Sequence, residues 1–162
     1  MKNLELIAMI GKNNELGCDD RLLWDINDDR EVFKNVTLNK IPIMGMHTYK
    51  KQIRNPNTKD KSIVLTRKAL IDPKVVIFNS KVEALHRVYK NPDKTFIVIG
   101  GEQVFNLFID DVEIMYLLHI NQEYLSANKY FPNVDYNLFD KELILEGKQD
   151  YIEYKEYKYI RK

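Results

Sequence analysis

Short apolar runs alternate with amphipathic stretches along most of this chain, and the alternation predicts a sheet covered by helices. Most of the runs are rich in β-branched residues, which is typical of strands buried on both faces. The predicted strands are residues 4–10, 41–45, 62–66, 74–78, 95–99 and 112–121. The predicted helices are residues 27–38, a short helix starting near Thr48, a helix starting near residue 81, and residues 102–109.

The helix near residue 81 has a recognisable start. Ser80 and Glu83 form a capping box, in which a hydroxyl and a glutamate three residues apart satisfy the first backbone N–H groups. The apolar stripe that helical spacing predicts for this helix consists of Val82, Leu85, Val88 and Tyr89.

The C-terminal part of the chain follows a different pattern. No helical stretch separates residues 141–146 from 151–160, and the polar residues 147–150 predict the turn of an antiparallel hairpin. The apolar side chains of the second strand change phase after Tyr154, which predicts a bulge between Tyr154 and Tyr157. The whole pattern is typical of an α/β protein with a mostly parallel sheet and an antiparallel pair at one edge.

Composition and charge narrow the class of protein. The 162 residues suffice for one domain with a hydrophobic core, and 44% apolar with 30% charged residues is typical of a soluble globular protein. A formal net charge of +1 argues against an extended nucleic-acid interface. No apolar run is long enough to span a bilayer, and the N-terminus lacks a signal-peptide core. We therefore expect a cytoplasmic protein without nucleic-acid or membrane partners, and we expect a monomer.

Cysteine and histidine offer little chemistry in this chain. The single cysteine, Cys18, excludes an internal disulfide and fits a reducing compartment. His47, His86 and His119 show no spacing typical of metal ligands, so we expect no metal site. His119 would lie on the strand face opposite to Leu118, as a packing or surface residue.

One acidic residue stands on a helix face that should be buried. The residues of helix 27–38 that share this face, at spacings i, i+3, i+4 and i+7, are Asp29, Val32, Phe33 and Val36. A buried carboxylate is unfavourable unless donors pair with it, and the N–H groups of a bound ligand are such donors. The alternative is that Asp28 and Asp29 are first-turn acids that only complement the helix dipole.

A pair of glycines marks the first of three loops that follow predicted parallel strands, where α/β sheets bind ligands. Gly100 and Gly101 follow strand 95–99, and two glycines allow a pyrophosphate to approach the backbone. The next helix offers unpaired N–H groups to the same phosphates. The alternative is an ordinary tight turn, because the chain lacks the G-x-G-x-x-G fingerprint.

Two further loops have side chains suited to a nucleotide. Gly45 ends strand 41–45, and Thr48 is predicted as the N-cap of the following helix, with its hydroxyl available to a phosphate or an amide. Arg67 and Lys68 follow strand 62–66, where two adjacent cations suit a phosphate group. The alternative for this pair is a solvated loop, since lysine and arginine are usually exposed.

Several of these residues occur together in one known family. In chain order they are Trp24 (the only tryptophan), Asp29, Phe33, Met44-Gly45, Thr48 and Gly100-Gly101. Their order and spacing resemble the dihydrofolate reductase family, and the resemblance covers nearly the whole chain. It implies a single domain over residues 1–162 with a dihydrofolate-reductase-like fold: a central eight-stranded, mostly parallel sheet, a C-terminal antiparallel hairpin and about four flanking helices.

The resemblance also implies an activity and its residues. The activity is NADPH-dependent reduction of 7,8-dihydrofolate, a small molecule, by hydride transfer to C6 and protonation of N5. The catalytic residues would be Asp29, which accepts two N–H bonds from the pterin, and Trp24, which closes the pocket. The substrate-binding residues would be Ile7, Ala8, Asp29, Phe33 and Ile99. The cofactor-binding residues would be Ala8, Leu16, Gly45, His47, Thr48, Thr66, Arg67, Lys68, Gly100, Gly101, Gln103, Val104 and Phe105. Within this family the Gly100–Gly101 link would be a cis peptide.

The chain departs from the family pattern at functional positions. Leu118 stands where a threonine typically hydrogen-bonds the acid, so the pKa of Asp29 is expected to rise. Asp60 stands where the family holds the glutamate tail of folate with an arginine, and a neighbouring lysine or Arg54 would have to substitute. These departures leave two alternatives open: a reductase of the same fold acting on another pterin or pyrimidine, and a non-catalytic nucleotide-binding relative.

Overall fold

The computed structural model describes residues 2–18, 21–52, 61–69 and 72–162. Its strands are β1 (Leu4–Ile10), β2 (Glu15–Cys18), β3 (Arg21–Leu22), β4 (Ile41–Gly45), β5 (Ser62–Leu65), β6 (Val75–Phe78), β7 (Phe96–Gly100), β8 (Ile114–Ile120), β9 (Lys129–Tyr130), β10 (Phe139–Gln149) and β11 (Ile152–Arg161). Its helices are α1 (Asn27–Thr37), α2 (Met46–Gln52), α3 (Lys81–Lys90) and α4 (Glu102–Phe108), with one 3-10 turn at Tyr136–Leu138.

An eight-stranded sheet runs through the centre of the molecule in the order β10-β11-β8-β1-β7-β4-β5-β6. The six strands from β8 to β6 are mutually parallel, and β11 pairs antiparallel with both β8 and β10. The predicted fold class is therefore confirmed: a mostly parallel sheet, an antiparallel hairpin at one edge and four helices among the described residues.

Helices cover both faces of this sheet. Phe33 and Val36 of α1 and Tyr49 of α2 pack on one face, whereas Ala84 of α3 and Phe108 of α4 lie in the larger core on the other. Burial on both faces explains why the parallel strands read as continuous apolar runs.

The starts of two helices were predicted with different success. Ser80 is confirmed as the N-cap of α3, because its Oγ accepts a hydrogen bond from the Glu83 N–H at 3.3 Å. The other half of the capping box is not formed as predicted, since the Glu83 carboxylate accepts from the Ser80 hydroxyl rather than from its backbone N–H. α2 begins at Met46, so the prediction of Thr48 as an N-cap is wrong and Thr48 lies inside the first turn. Strand β4 passes directly into this helix, which leaves no loop between them.

The predicted apolar stripe of α3 is wrong in part. Val82 and Tyr89 are 75% and 67% exposed, whereas Ala84 and Val88 are fully buried and Leu85 is half-buried. Helical spacing alone did not show that small Ala84 faces the sheet, where the backbones approach closely.

The C-terminal hairpin is longer than its pattern predicts, and its turn is shorter. β10 continues to Gln149, so the predicted turn at 147–150 is wrong, and Asp150 at φ 57° begins a two-residue turn. Gly147 belongs to the strand and pairs with Tyr154. A Cβ on Gly147 would lie 2.7 Å from the Tyr154 hydroxyl, so the glycine makes room for this side chain.

The predicted bulge lies on the other strand. The register between β10 and β11 shifts between Leu143 and Leu145, whereas β11 pairs with β8 without interruption. Glu156 therefore keeps the phase of Tyr154 and points to the same face.

The polar segment before α1 is more ordered than its sequence predicts. β2 pairs with β3 and β9 in a small second sheet. Buried Glu15 accepts hydrogen bonds from the backbone N–H groups of Asn13 and Tyr124, each at 2.6 Å, which ties this segment to the chain after β8. No helix in the described ranges is long and apolar enough to cross a membrane.

Candidate active site

The amino end of α1 is held by the C-terminal hairpin. Ile26 occupies the N-cap and offers no side-chain acceptor, and the Asn27 N–H donates instead to Gln149 Oε1 at 2.8 Å. Gln149 Nε2 donates in turn to the carbonyl oxygen of Asp25 at 2.8 Å. A side chain from the far end of the sequence therefore positions the helix turn that contains Asp29.

A second hydrogen bond from the hairpin reaches Asp28 but not its neighbour Asp29. The buried Tyr154 hydroxyl donates a hydrogen bond to the Asp28 carboxylate, which raises the pKa of Tyr154 to about 12. Asp28 therefore anchors α1 to β11. Asp29, the next residue, is half-buried on the same turn.

Asp29 lies one helical turn before an apolar wall. Phe33 of α1 packs against Ile7 of β1 and Tyr116 of β8, with Ile99 of β7 at the rim of the same cluster. Burial raises the pKa of Asp29 to about 6, with a further contribution from the negative charge of Asp25. The direction predicted from the sequence is confirmed, and Asp29 is mostly ionised at neutral pH.

Trp24 borders the same face of the sheet. It is buried against Ile26, Leu118 and Tyr154, and its Nε1 donates to Gln122 Oε1 at 3.2 Å. A Cβ on Gly11 would lie 2.5 Å from the indole ring, so the backbone packs directly on it. The position of Trp24 is therefore determined by the fold.

The predicted substrate residues Ile7 and Ala8 lie on opposite faces of β1. Ile7 belongs to the wall beside α1, whereas Ala8 belongs to the core on the side of α4. Only Ile7 can contribute its side chain to a pocket beside Asp29, together with Phe33 and Ile99.

The three predicted cofactor segments lie side by side at the carboxyl ends of the parallel strands. They follow the neighbouring parallel strands β7, β4 and β5, and the register places Gly100 beside Met44 and Gly45 beside Leu65. Topology thus joins three segments that are far apart in the sequence, as α/β sheets do at their carboxyl ends.

The glycines at these strand ends are closely packed. The Gly100–Gly101 peptide is cis, as the resemblance implies, and Gly100 has φ 134°, a conformation that side chains rarely adopt. A Cβ on Gly100 would lie 3.3 Å from Thr48 Oγ1, so the first turn of α2 faces the glycine pair. A Cβ on Gly45 would lie 3.2 Å from Val104 Cγ2. Together these positions form a cradle of bare backbone.

The remaining predicted cofactor residues divide into exposed and buried ones. Arg67 and Lys68 are exposed after β5, and Thr66 Oγ1 accepts the Lys68 N–H at 3.1 Å, which shapes their turn. The exposed residues at these strand ends also include His47 and Gln103. The side chains that lie in or against the core are Leu16, Val104 and Phe105.

Sequence reasoning missed a second acid. Glu156 of β11 is 0% exposed and lies directly opposite Leu118 of β8. Burial, with a further contribution from the charge of Asp29, raises the pKa of Glu156 to about 8. Glu156 lies two residues after Tyr154, so the alternation of a regular strand would have predicted that it is buried. The wrongly predicted bulge after Tyr154 interrupted this alternation.

The positions that bear on the folate tail, Arg54 and Asp60, lie outside the described residues, so the expectation about the tail stays a prediction. Within the described ranges, the arrangement combines a charged acceptor on an apolar wall with a glycine cradle. Ile99, at the rim of that wall, directly precedes Gly100. Such a site can hold a flat heterocycle against a nucleotide.

Comparison with known proteins identifies the family. The sequence model described as "Dihydrofolate reductase" matches residues 3–161. A dihydrofolate reductase of Buchnera aphidicola subsp. Baizongia pistaciae is 30% identical over 99% of this chain and 98% of its own length. One from Staphylococcus haemolyticus is 28% identical over 91% and 87%, respectively. With the fold and the acid-bearing wall described above, these matches show that the chain is an enzyme of the dihydrofolate reductase family.

Proposed function

We propose that this chain catalyses the NADPH-dependent reduction of 7,8-dihydrofolate to 5,6,7,8-tetrahydrofolate. The observation that carries the proposal is Asp29, a half-buried and mostly ionised carboxylate beside an apolar wall. When bound, the reduced nicotinamide supplies the hydride that C6 of the substrate accepts.

In this proposal the protein orients the ring. Asp29 accepts two parallel N–H bonds, from N3 and the 2-amino group of the pterin. Phe33 packs on the aromatic part of the substrate, and Ile7 and Ile99 form the wall of the pocket. The negative charge of Asp29 favours the ring that has gained a proton at N5, and water delivers this proton.

The cofactor would lie along the carboxyl ends of β7, β4 and β5. Because Gly45, Gly100 and Gly101 carry no Cβ, a pyrophosphate could approach their backbone closely, and Thr48 Oγ1 lies beside Gly100 and Gly101. Arg67 and Lys68 suit the 2′-phosphate that distinguishes NADPH from NADH. These features support NADPH as the cofactor.

We further propose that the chain acts as a monomeric single domain on this small molecule, without nucleic-acid or membrane partners. The continuous sheet from β10 to β6 supports a single unit. A molecular mass near 19.3 kDa in solution would agree with a monomer.

The reaction can be tested directly by the absorbance of NADPH. We expect the purified chain to oxidise NADPH only when dihydrofolate is present. Replacement of Arg67 and Lys68 by alanine should raise KM for NADPH by roughly tenfold or more and change KM for NADH little. Lys74→Ala, an exposed lysine just before β6, is the matched control. No oxidation at saturating dihydrofolate would contradict the proposed reaction.

A further inference from the structure

The proposed reaction does not use Glu156, although this residue is the most deeply buried acid beside the site. Its side chain is 0% exposed, and neither carboxyl oxygen has a hydrogen-bond partner among the described residues. An ionised carboxylate without donors is very unfavourable in such a place, whereas a protonated acid is tolerated.

The neighbours of Glu156 offer no compensating positive charge at its oxygens. Leu118 of β8 and Leu145 of β10 stand directly opposite on the two sides. Lys158 follows on the same face, but its Nζ lies over the Tyr116 ring, 5.8 Å from the centroid. The charged or titratable side chains of α1 and of this face of the neighbouring strands include Asp28 and Asp29 of α1, Tyr116 of β8, Glu142 of β10, and Tyr154 and Lys158 of β11.

Asp28 and Tyr154 are hydrogen-bonded to each other, and Asp29 is the acid whose charge acts on Glu156. Asp28 accepts the hydrogen bond of Tyr154. The negative charge of Asp29, by contrast, opposes ionisation of Glu156. Two carboxyl groups in one half-buried region do not ionise together easily.

We propose that Glu156 is a second acid buried beside the substrate site, a positioning residue that keeps its proton while Asp29 is ionised. The two acids together then carry one negative charge in neutral solution and two in alkaline solution. The consequence for the reaction rests on the proposed function, whereas the proton on Glu156 can be measured without any substrate.

The order of ionisation follows from the two environments. The pKa of Asp29 is about 6 and that of Glu156 about 8, so one proton remains on the pair between these values. Above pH 8 the second negative charge adds to the field that stabilises a ring protonated at N5. The enzyme would therefore lose less activity in alkaline solution than one with a single acid.

The first experiment measures the proton by carboxyl ¹³C NMR on the full chain labelled in aspartate and glutamate. Glu156→Gln assigns the Glu156 resonance by its loss. We expect a midpoint near 8 for Glu156 in the parent. Asp29→Asn should lower this midpoint by roughly one unit, a tenfold change in proton affinity.

The matched control for this titration is Asp25→Asn. Asp25 acts electrostatically on Asp29 and is exposed, so its replacement should lower the midpoint of Asp29 and leave that of Glu156 in place. If Glu156 is already ionised at pH 6.5, or its midpoint is the same in Asp29→Asn, the proposal is overturned.

The second experiment follows hydride transfer in a single turnover as a function of pH. The ratio of the parent rate to the Glu156→Gln rate should rise several-fold between pH 7 and pH 9.5, because only the parent gains the second charge. Glu153→Gln, an exposed acid on the same strand, should give a constant ratio. A constant ratio for Glu156→Gln would remove this residue from the reaction.

The NMR experiment is independent of the proposed function, whereas the kinetic experiment depends on it. If dihydrofolate is not reduced at all, the proposed function fails, and the NMR titration still decides where the proton resides. If dihydrofolate is reduced and Glu156 titrates near its ordinary value, only the role of Glu156 fails.

Discussion

Asp28 and Asp29 are adjacent residues of the same type with different roles. Asp28 accepts a hydrogen bond from the Tyr154 hydroxyl and anchors α1, whereas Asp29 lies beside the apolar wall with its pKa raised to about 6. Both are first-turn acids, and the sequence distinguishes them only by the apolar face that Asp29 shares. The structure adds the partner of Asp28. At the residue scale, the proposed chemistry therefore depends on Asp29.

The first prediction concerns this acid. Asp29→Asn should lower the rate of hydride transfer at neutral pH by roughly a hundredfold or more, because an amide cannot accept two N–H bonds or stabilise a positive ring. Single-turnover kinetics measures the effect. Glu31→Gln, an exposed acid on the same helix, is the control. A rate for Asp29→Asn within a few-fold of the parent would contradict the assigned role.

At the scale of elements, the site depends on contact between the two ends of the chain. α1 has no side-chain cap of its own, and Gln149 and Tyr154 of the hairpin supply the missing bonds. Gly147 is needed for this arrangement because any larger residue would collide with Tyr154. The segment 147–150, which was predicted as a turn, therefore helps to hold helix α1 in place.

The second prediction tests this support. Tyr154→Phe removes the hydrogen bond to Asp28, and we expect the free energy of unfolding to fall by about 2 kcal/mol, as for a hydrogen bond to a charged group. Hydride transfer should fall several-fold, less than in Asp29→Asn, because the first turn of α1 is held less firmly. Urea unfolding and single-turnover kinetics measure both effects.

The control for Tyr154→Phe lies in the same hairpin. Tyr151, at the turn, is 90% exposed, so Tyr151→Phe should change neither quantity. Equal stability of Tyr154→Phe and the parent would show that the hairpin does not anchor α1.

At the scale of the whole molecule, three of the described groups with shifted pKa values, Asp29, Glu156 and His119, affect how stability depends on pH between about pH 4 and 8. Asp29 and Glu156 have raised pKa values, so each stabilises the folded state at low pH and loses this effect as pH rises through its folded pKa. Burial lowers the pKa of His119 to about 4, which has the opposite sign, since the fold loses stability as pH falls below 6.5. Between about pH 6.5 and 8, only Glu156 of these three binds more protons in the folded state.

The third prediction follows from this window. The free energy of unfolding of the parent should fall by at most about 1.4 kcal/mol per pH unit between pH 6.5 and 8, because Glu156 is half deprotonated at pH 8 and His119 opposes the change near pH 6.5. The expected fall across the window is roughly 1.5 kcal/mol. Glu156→Gln should remove this dependence and be more stable than the parent at pH 8. Urea unfolding at the two pH values is the measurement. A parent whose stability is flat across this window would show that Glu156 carries no shifted proton.

The comparison of sequence and structure separates what each could show. Long buried strands were predicted well, because burial on both faces gives an apolar run that needs no knowledge of the partner strand. The stripe of α3 and the turn of the hairpin were predicted wrongly, because Ala84 and Gly147 were selected by neighbouring backbone and side chains rather than by local periodicity.

The sequence by itself determined the fold class, the acid at residue 29 and the residue types of the cofactor loops, since these depend on local periodicity and on motifs along the chain. Only the tertiary structure decided that Gln149 and Tyr154 hold α1, and that Glu156 is buried within electrostatic reach of Asp29. The physical reason is that a hydrogen-bond partner and the desolvation of a carboxylate depend on which strands become neighbours. In this fold, the sheet order pairs Glu156 with Leu118, and the packing of α1 on the same face places Asp29 near Glu156.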